Sequence, residues 1–276
     1  MVWHVECVEV CRWQGGAPAI HRQAVMPYGM YLSAEGAKAQ AQRLEFIANN
    51  LANVDTPGFK RDVPTFQARF AEAIQRGQDF PGSKSKNDTG GGVKLIEVET
   101  DFSNTTLRST GVDTDLAING DGFFQVSGKD GETFLTRAGN FLVDFTGSMV
   151  TQTGKFAVLD DGGGEIKLDP ELPWEIMPGG IIEQAGQRIA IGLQQPQSLG
   201  DLVKVGDNMF RSLSPVESVS QQDRDIRQGY LELSGVSSTR EMMSMIETSR
   251  AFEANTKLIQ HQDGMMSQLL SRVLSS

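Results

Sequence analysis

The chain has 276 residues, of which 39% are hydrophobic and 22% charged, and its formal net charge is -10. This length is enough to bury a sizeable core in one or two domains. The negative charge disfavours nucleic acid as a partner, and because no run approaches ~18 apolar residues we predict no direct membrane insertion.

The first 25 residues differ from the rest of the sequence. Residues 2–10 contain Glu6 and Glu9 and have neither a basic leader nor an apolar core, so we expect no cleavable secretory signal. Met26 opens a stretch that makes a natural start, and we therefore expect residues 1–25 to be a non-native or disordered extension. If the protein is exported, a pathway that does not use a cleavable signal must carry it.

Both cysteines, Cys7 and Cys11, lie in this extension. The body of the protein therefore has no disulfide framework. His4 and His21 are close in sequence, but two thiols without a second pair of ligands make a weak metal site. We predict neither a metal ion nor a cofactor.

The segment from Met30 to Asn53 is rich in good helix formers and contains no proline, which predicts one long helix. Apolar and alanine residues recur along it in two rows with a period of seven, as in a coiled-coil seam. The rows are Met30, Ala37, Leu44 and Leu51, and Ala34, Ala41 and Ala48. So narrow a stripe needs a partner, although a surface helix on a globular domain is the competing interpretation.

The next segment, residues 61–110, is predicted to be a connecting region. Pro57 disfavours helical backbone at Thr56 and Gly58 supplies a turn, so the first helix should end before it. The composition of Pro81–Gly92 predicts a flexible loop, and the alternation in Leu95–Ser103 predicts a strand.

Residues 111–227 have the pattern of an antiparallel β domain. From Leu116 to Leu159, short runs of β-prone residues alternate with Gly, Asp and Asn turns. The turns at 128–131 and 145–148 are typical of hairpin connections. Shorter strands are predicted at Trp174–Met177, Ile181–Ile182, Ile189–Leu193 and Asn208–Leu213.

Residues 228–276 contain a second long amphipathic helix, predicted from about Val236 to Leu274. It again carries two rows with a period of seven. The stronger row is Met245, Phe252, Ile259, Met266 and Val273, and the weaker one is Met242, Ser249, Thr256, Asp263 and Leu270. A plain intramolecular core is the competing interpretation of these rows.

Together these elements predict an α+β fold in which long N- and C-terminal helices pair as a coiled coil and carry an inserted, mainly antiparallel β domain. The predicted segments after the extension are 26–60, 61–110, 111–227 and 228–276. We expect the heptad faces to bind other copies of the chain through head-to-tail, non-closing contacts. The predicted interface residues are Met30, Ala34, Ala37, Ala41, Leu44, Ala48, Leu51, Met242, Met245, Phe252, Ile259, Met266, Leu270 and Val273.

Convergent catalytic groups are missing from the sequence pattern beyond the extension, so we predict that the protein is not an enzyme. His261 lies in the polar part of the second helix. The clusters Gly90–Gly92 and Gly162–Gly164 lack the Lys and Ser/Thr of a phosphate-binding loop. Asp160 and Asp161 are sequence neighbours on a turn, which does not control the spacing that glycan hydrolysis requires.

Three segments carry a resemblance to a known family. They are ANNLANVDTPGFKR at 48–61, DLAINGDGFFQV at 115–126 with LTRAGNFLVDFTGSMVTQTG at 135–154, and QGYLELSGVSSTREMMSMIETSRAFEANTKLI at 228–259. In this order they resemble the signatures of the flagellar hook and basal-body rod proteins, and those of the rod members most closely. One departure is Gly235, where the family usually has Asn.

The resemblance implies a structural subunit of the basal-body rod, exported unfolded through the flagellar type III apparatus without a cleaved signal. Its partners would be copies of itself and other rod or hook subunits, in a periplasmic helical tube that transmits torque. The matching signature residues are Asn49, Asn50, Asn53, Thr56, Pro57, Gly58, Phe59, Gly122, Phe123, Phe124, Arg137, Gly139, Gly229, Glu247 and Arg250.

Three alternatives stay open on the sequence. The first is a hook or proximal-rod subunit, because these members of the family share the motifs. The second, from another class, is a secreted peptidoglycan-acting enzyme anchored by its terminal helices. The third is an acidic interaction module that stays monomeric. A self-assembling subunit should differ from the third in having helix ends that fray in the free chain and become ordered when neighbours cover them.

Overall fold

The computed structural model describes residues 28–70, 74, 76–77, 80, 90–128 and 130–275. The predicted extension at residues 1–25, with its cysteines and two of the three histidines, lies outside the described residues. Most of the predicted loop Pro81–Gly92 lies outside them as well. The predicted division into segments stays a prediction.

Two helices form the ends of the described chain, α1 at Tyr28–Ala52 and α2 at Ser238–Leu274. Both predicted helices are therefore confirmed to within two residues at each end. They contain 25 and 37 residues, so at 1.5 Å per residue they extend over roughly 37 and 55 Å. The longer helix must extend past its partner at one end.

The two helices pack against each other in opposite directions. A Cβ atom added to Gly29 would lie 2.9 Å from Nε2 of Gln262, and one added to Gly36 would lie 3.4 Å from Nδ2 of Asn255. The two contacts are seven residues apart on both helices, and the glycines allow close approach because they have no side chain. This confirms that the helices pair, while the coiled-coil geometry predicted from the heptads stays a prediction.

Eighteen strands lie between the helices in the described part of the chain. In order they are β1 Arg61–Ala68, β2 Val93–Asp101, β3 Leu107–Ser109, β4 Leu116–Ile118, β5 Phe123–Gly128, β6 Thr133–Thr136, β7 Phe141–Val143, β8 Met149–Thr151, β9 Phe156–Val158, β10 Trp174–Met177, β11 Ile181–Gln184, β12 Gln187–Ala190, β13 Leu193–Pro196, β14 Leu202–Gly206, β15 Met209–Ser212, β16 Val216–Ser218, β17 Ile226–Gln228 and β18 Tyr230–Glu232.

Every pairing between these strands is antiparallel, as predicted. The largest sheet follows the order β14-β15-β6-β5-β9-β8-β7, and β13 joins it by pairing with β5 and β16. β10, β11 and β12 form a three-stranded meander, and β1 pairs with β2 in a separate hairpin. The pairs β17-β4 and β18-β3 bring the chain back towards the helices before α2 begins.

The β domain has two apolar cores on the opposite faces of β5. Side chains alternate across a strand, so Phe124 points into the larger core and Phe123 into the smaller one. Phe124 meets Phe141 edge to face, with 5.2 Å between the ring centroids. Phe123 packs against Phe210 in the same manner at 5.8 Å. Such pairs favour one fixed arrangement of the sheet.

The predicted strand Ile189–Leu193 is wrong as a single element. β12 ends at Ala190 and β13 begins at Leu193, in a different sheet. A Cβ atom on Gly192 would lie 2.8 Å from the carbonyl oxygen of Asp160, so the chain changes sheets where only glycine fits. The sequence pattern also failed to indicate β1, β3, β14 and β16 to β18. Of these, β17 and β18 are three residues long and pair with β4 and β3, more than 100 positions away.

Candidate subunit interface

The three sequence signatures meet at one place, which we call the junction: the loop 53–61 after α1, the segment 137–139 after β6, and the link 232–237 between β18 and α2. The backbone N–H of Gly58 donates to the carbonyl of Glu232 at 2.9 Å, and that of Gly235 donates to Phe59 at 2.8 Å. These bonds hold the end of α1 beside the start of α2.

Side-chain amides of the first signature end α1 and attach it to β1. Asn50 is 1% exposed; its Nδ2 donates to the carbonyl of Asp62 at 2.9 Å, and its Oδ1 accepts from the backbone N–H of Asp62 at 3.0 Å. Asn53 donates to the carbonyl of Asn49, and Thr56 donates to Asn53 Oδ1 at 3.2 Å. The amides replace helical hydrogen bonds that are lost where the chain turns.

Gly58 allows the tight turn at the centre of the junction. Its φ is +64°, a left-handed value that favours glycine, and an added Cβ would lie 2.4 Å from the carbonyl oxygen of Arg137. The neighbouring Phe59 is buried, with the ammonium of Lys204 4.6 Å from its ring centroid. The carbonyl of Pro57 accepts a hydrogen bond from Nδ2 of Asn208 at 2.9 Å.

We expect Gly58→Ala to destabilise the protein by more than about 3 kcal/mol, because backbone strain and a clash with backbone add together. Gly154→Ala is the matched control. Its φ of +66° is almost the same, but nothing lies within 4 Å of the added Cβ, so it should cost only about 1 kcal/mol. If urea unfolding showed the same loss of stability for both variants, the contact between residue 58 and Arg137 would not contribute to stability.

A buried ionic cluster lies beneath the turn. Lys60 Nζ is 2.7 Å from Glu232 Oε1, and Arg137 Nη1 is 3.5 Å from Glu232 Oε2, with all three side chains at most 3% exposed. Lys60 also donates to the carbonyl of Ser103 at 2.8 Å, and Arg137 to that of Gly120. Burial lowers the pKa of Lys60, and the attraction of Glu232 opposes that shift. The cluster joins residues from all three signatures.

Two further ion pairs attach β1 to α2 on one side and to the β domain on the other. Arg61 Nε donates to Oε1 of the fully buried Glu241, at the start of α2, at 2.6 Å. Lys204 of β14 is 2.6 Å from Asp62 Oδ1. Burial lowers the pKa of Lys204 and Asp62 opposes the shift. Together the two pairs link α2 through β1 to the β domain, and loss of Arg61 would leave the buried Glu241 without its cation.

Most other signature residues pack within the β domain or allow turns of its backbone. Gly139 lies against Leu116, whose carbonyl oxygen would be 1.6 Å from an added Cβ. Gly122 and Gly229 have positive φ values of 119° and 75°. Glu247 and Arg250 are different, because both are exposed on α2, away from the junction.

The predicted interface residues are only partly used by the pairing of α1 with α2. On α1 the alanine row Ala34, Ala41 and Ala48 is exposed, and the row Met30, Ala37, Leu44 and Leu51 is half-buried. On α2, Met245, Phe252 and Ile259 are half-buried, and Met242, Met266, Leu270 and Val273 are exposed. The distal end of α2 also carries exposed apolar side chains, with Leu269 57%, Leu270 58% and Leu274 85% exposed.

The carboxylates considered for glycan hydrolysis have structural partners. Asp161 accepts hydrogen bonds from Ser218 Oγ at 2.6 Å and from Arg224 Nη2 at 2.8 Å, and Asp160 accepts one from the backbone of Gly164. The hydrogen bond from Ser218, helped by Arg224, lowers the pKa of Asp161. His261 is exposed on α2.

This shift predicts an acid-dependent contribution to stability. The lowered pKa of Asp161 means that its contribution is complete above about pH 4 and is lost as the pH falls through the folded-state pKa. Asp161→Asn should therefore destabilise the protein at pH 7 by about 1–2 kcal/mol. This is less than the loss of a fully buried pair, because 38% of the Asp161 side chain is exposed, although its partner Arg224 is buried. Urea unfolding at pH 7 and pH 2.5 checks this; a difference that does not shrink in acid would contradict it.

The described residues contain no group of three or more His, Cys, Asp or Glu side chains placed to hold a metal ion. None of the described helices is both long and apolar enough to cross a membrane. The sequence analysis did not single out Glu232, Glu241 or Lys204 as site residues. Glu232 and Glu241 lie within the third signature, and Lys60 and Arg61 end the first one. The available signal was that acids in one signature could pair with the two adjacent cations in the other.

The fold and the junction define a class of protein in which paired terminal helices carry an inserted β domain. The chain matches the families described as "Flagella basal body rod protein" over residues 30–60, "Flagellar hook protein FlgE/F/G D1 domain" over 117–198 and "Flagellar basal body rod FlgEFG protein C-terminal" over 227–272. The chain belongs to the flagellar basal-body rod protein family.

Individual relatives cover nearly the whole chain. It is 37% identical over 239 residues to the flagellar basal-body rod protein FlgF of Caulobacter vibrioides, covering 85% of this chain and 93% of the relative. It is 34% identical over 260 residues to FlgG of Bacillus subtilis, covering 88% and 97%. It is 32% identical over 266 residues to FlgG of Buchnera aphidicola, covering 87% and 97%.

Proposed function

We propose that this protein is a structural subunit of the flagellar basal-body rod and polymerises through its terminal helices into a helical tube that transmits torque. The observation that carries the proposal is the apolar surface that the helix pair leaves uncovered. The alanine row of α1 and the distal end of α2 are exposed in the single chain. Apolar area of this kind favours association because water is released when a neighbour covers it.

The junction supports a mechanical role. Its buried ionic cluster and backbone bonds connect α1, α2 and the β domain at one point. Buried ion pairs resist displacement because separating them leaves charges without partners. A force applied to the helices is then passed to the β domain without a flexible hinge.

The partners follow from the same proposal. They are copies of the chain, other rod or hook subunits, and the type III export apparatus that would deliver the subunit without a cleavable signal to the periplasmic rod. We favour the rod over the hook because the relatives described above are all named rod proteins. We also propose that the protein is not an enzyme, since Asp160 and Asp161 are engaged in structural hydrogen bonds.

Hydrogen exchange tests the proposal on the intact chain. Residues 263–274 of α2 are all exposed, so their amides should exchange rapidly in dilute solution and slowly in the assembled form. Amides of the buried strand β5 are the internal control and should be slow in both. Slow exchange of 263–274 in a chain that stays monomeric would support the monomeric interaction module instead. Electron microscopy of basal bodies carrying labelled protein then tests the location.

A further inference from the structure

The side of α1 that points away from α2 carries two charged side chains without partners. Gly36 lies against α2, and Ala34, two positions earlier, is about 200° round the helix from it because each residue turns the helix by about 100°. Four exposed residues follow this side at intervals of four, three and four, and we call them the charged face of α1: Ala34, Lys38, Ala41 and Glu45. No ion pair or side-chain hydrogen bond joins Lys38 or Glu45 to another described residue.

One flank of α2 has the same spacing of small and charged residues. The charged face of α2, as we call it, again has intervals of four, three and four: Arg240, Ser244, Glu247 and Ala251. Arg240 and Glu247 are exposed, and within the described chain neither has an ion pair. Glu247 precedes the buried Thr248, which lies on the side of α2 that meets α1. The charged face is therefore about 100° round α2 from its own α1.

We infer that the charged face of α1 packs antiparallel against the charged face of α2 of a second copy, with Lys38 opposite Glu247 and Glu45 opposite Arg240. This contact rests on the proposed function and deepens it, because it names the two surfaces and their register. The charged face of α1 points away from α2 of its own chain, so α2 of another copy must supply the partner charges. Two bound copies leave one face of each kind free, and such a heterologous contact adds further subunits instead of closing.

The charges select one register and one direction. Lys38 and Glu45 are seven positions apart, so a matching helix must present an acid and a base at the same separation. Glu247 is the only exposed acid of α2 that has a base seven positions away, and that base is Arg240. The base precedes the acid on both helices, so opposite charges meet only when the helices run in opposite directions. Complementary charges of this kind fix the partner and the orientation of paired helices.

The residues beside the charges are complementary in size. In this register Ala34 faces Ala251 and Ala41 faces Ser244, so small side chains meet on both helices. Paired helices are about 8 to 10 Å apart depending on the side chains between them, and small ones allow the lower end of that range. Close approach excludes water from the neighbouring ion pairs, which strengthens the attraction between opposite charges and the repulsion between like charges.

Exchanging the charges in the full chain tests the inference. Lys38→Glu and Glu247→Lys should each raise the concentration needed for filament formation at least about tenfold, because like charges then face each other. The double variant K38E/E247K should return to within about threefold of the wild type, since the pair is restored with its charges exchanged. Lys257→Glu is the matched control, because it reverses another exposed lysine of α2 that lies outside the charged face. Sedimentation measures assembly, and circular dichroism of the dilute chain checks folding.

A second double variant separates this contact from a pairing of α1 with α1 of another copy. K38E/E45K should stay defective, because it places like charges opposite Glu247 and Arg240; normal assembly would show that α1 pairs with α1 and would overturn the inference. Failure of E247K to rescue K38E, or equal effects of K38E and K257E, would also overturn this contact and leave the proposed function standing. A wild-type chain that forms no filaments overturns the proposed function together with the contact.

Discussion

Replacing Glu232 with Gln should destabilise the protein by about 3–5 kcal/mol, the usual cost of breaking a buried ionic cluster by removing one partner. The carboxylate is the only acid that pairs with Lys60 and Arg137 among the described ion pairs, and all three groups are buried. Without it, two cations remain in a region that water does not reach. The midpoint of urea unfolding, followed by circular dichroism, measures the loss.

Two variants make this experiment specific. Glu132→Gln removes an ion pair of the same kind with Arg211, but those side chains are 59% and 49% exposed, so the loss should not exceed about 1 kcal/mol. Adding Lys60→Met to the Glu232 variant removes one unpaired cation and should restore part of the stability. If E232Q were as stable as E132Q, the cluster would not hold the junction together.

Replacing Leu270 with Asp should abolish polymerisation without unfolding the protein. Leu270 is 58% exposed at the distal end of α2, so the single chain loses no core packing when it changes. In a filament the new carboxylate would be buried against apolar side chains without a partner, which costs several kcal/mol at each contact. Sedimentation and electron microscopy measure assembly, and the near-ultraviolet circular dichroism of the β domain reports its folding.

The control for this prediction is Gln260→Asp, which adds the same charge at an exposed position of α2 outside the predicted rows. It should polymerise as the wild-type chain does. Leu44→Asp and Phe252→Asp, on the half-buried parts of the rows, should also abolish assembly. Because Leu44 and Phe252 are half-buried in the helix pair, their substitution can also disturb the pairing of α1 with α2. Leu270 is therefore the more direct test of the exposed stripe. Normal filament formation by L270D would show that the distal end of α2 is not part of the subunit interface.

The two effects separate the roles of the junction and the helices. The Glu232 variant is expected to weaken the single chain, whereas the Leu270 variant is expected to change only what the chain does with its neighbours. A protein in which both substitutions acted on folding would not be a preformed subunit. If neither substitution affected filament formation, the protein would not use these helices to bind its neighbours in a filament.

Local patterns in the sequence determined both helices, most hairpins and the three signatures. Good helix formers without proline predicted α1 and α2 to within two residues, because helix hydrogen bonds form between near neighbours. Alternation with glycine turns predicted the strands around Phe124 in the same manner. The antiparallel β domain and the paired ends of the chain followed from these elements.

Only the tertiary structure decided how distant residues combine. Lys60 and Glu232 are 172 positions apart, and no local pattern shows that one carboxylate serves two cations. β12 and β13 separate at Gly192 because the chain approaches Asp160, a contact that periodicity does not contain. Which face of α1 meets α2 was also decided in three dimensions, since Gly29 and Gly36 carry no apolar side chain and yet lie against Gln262 and Asn255 of α2.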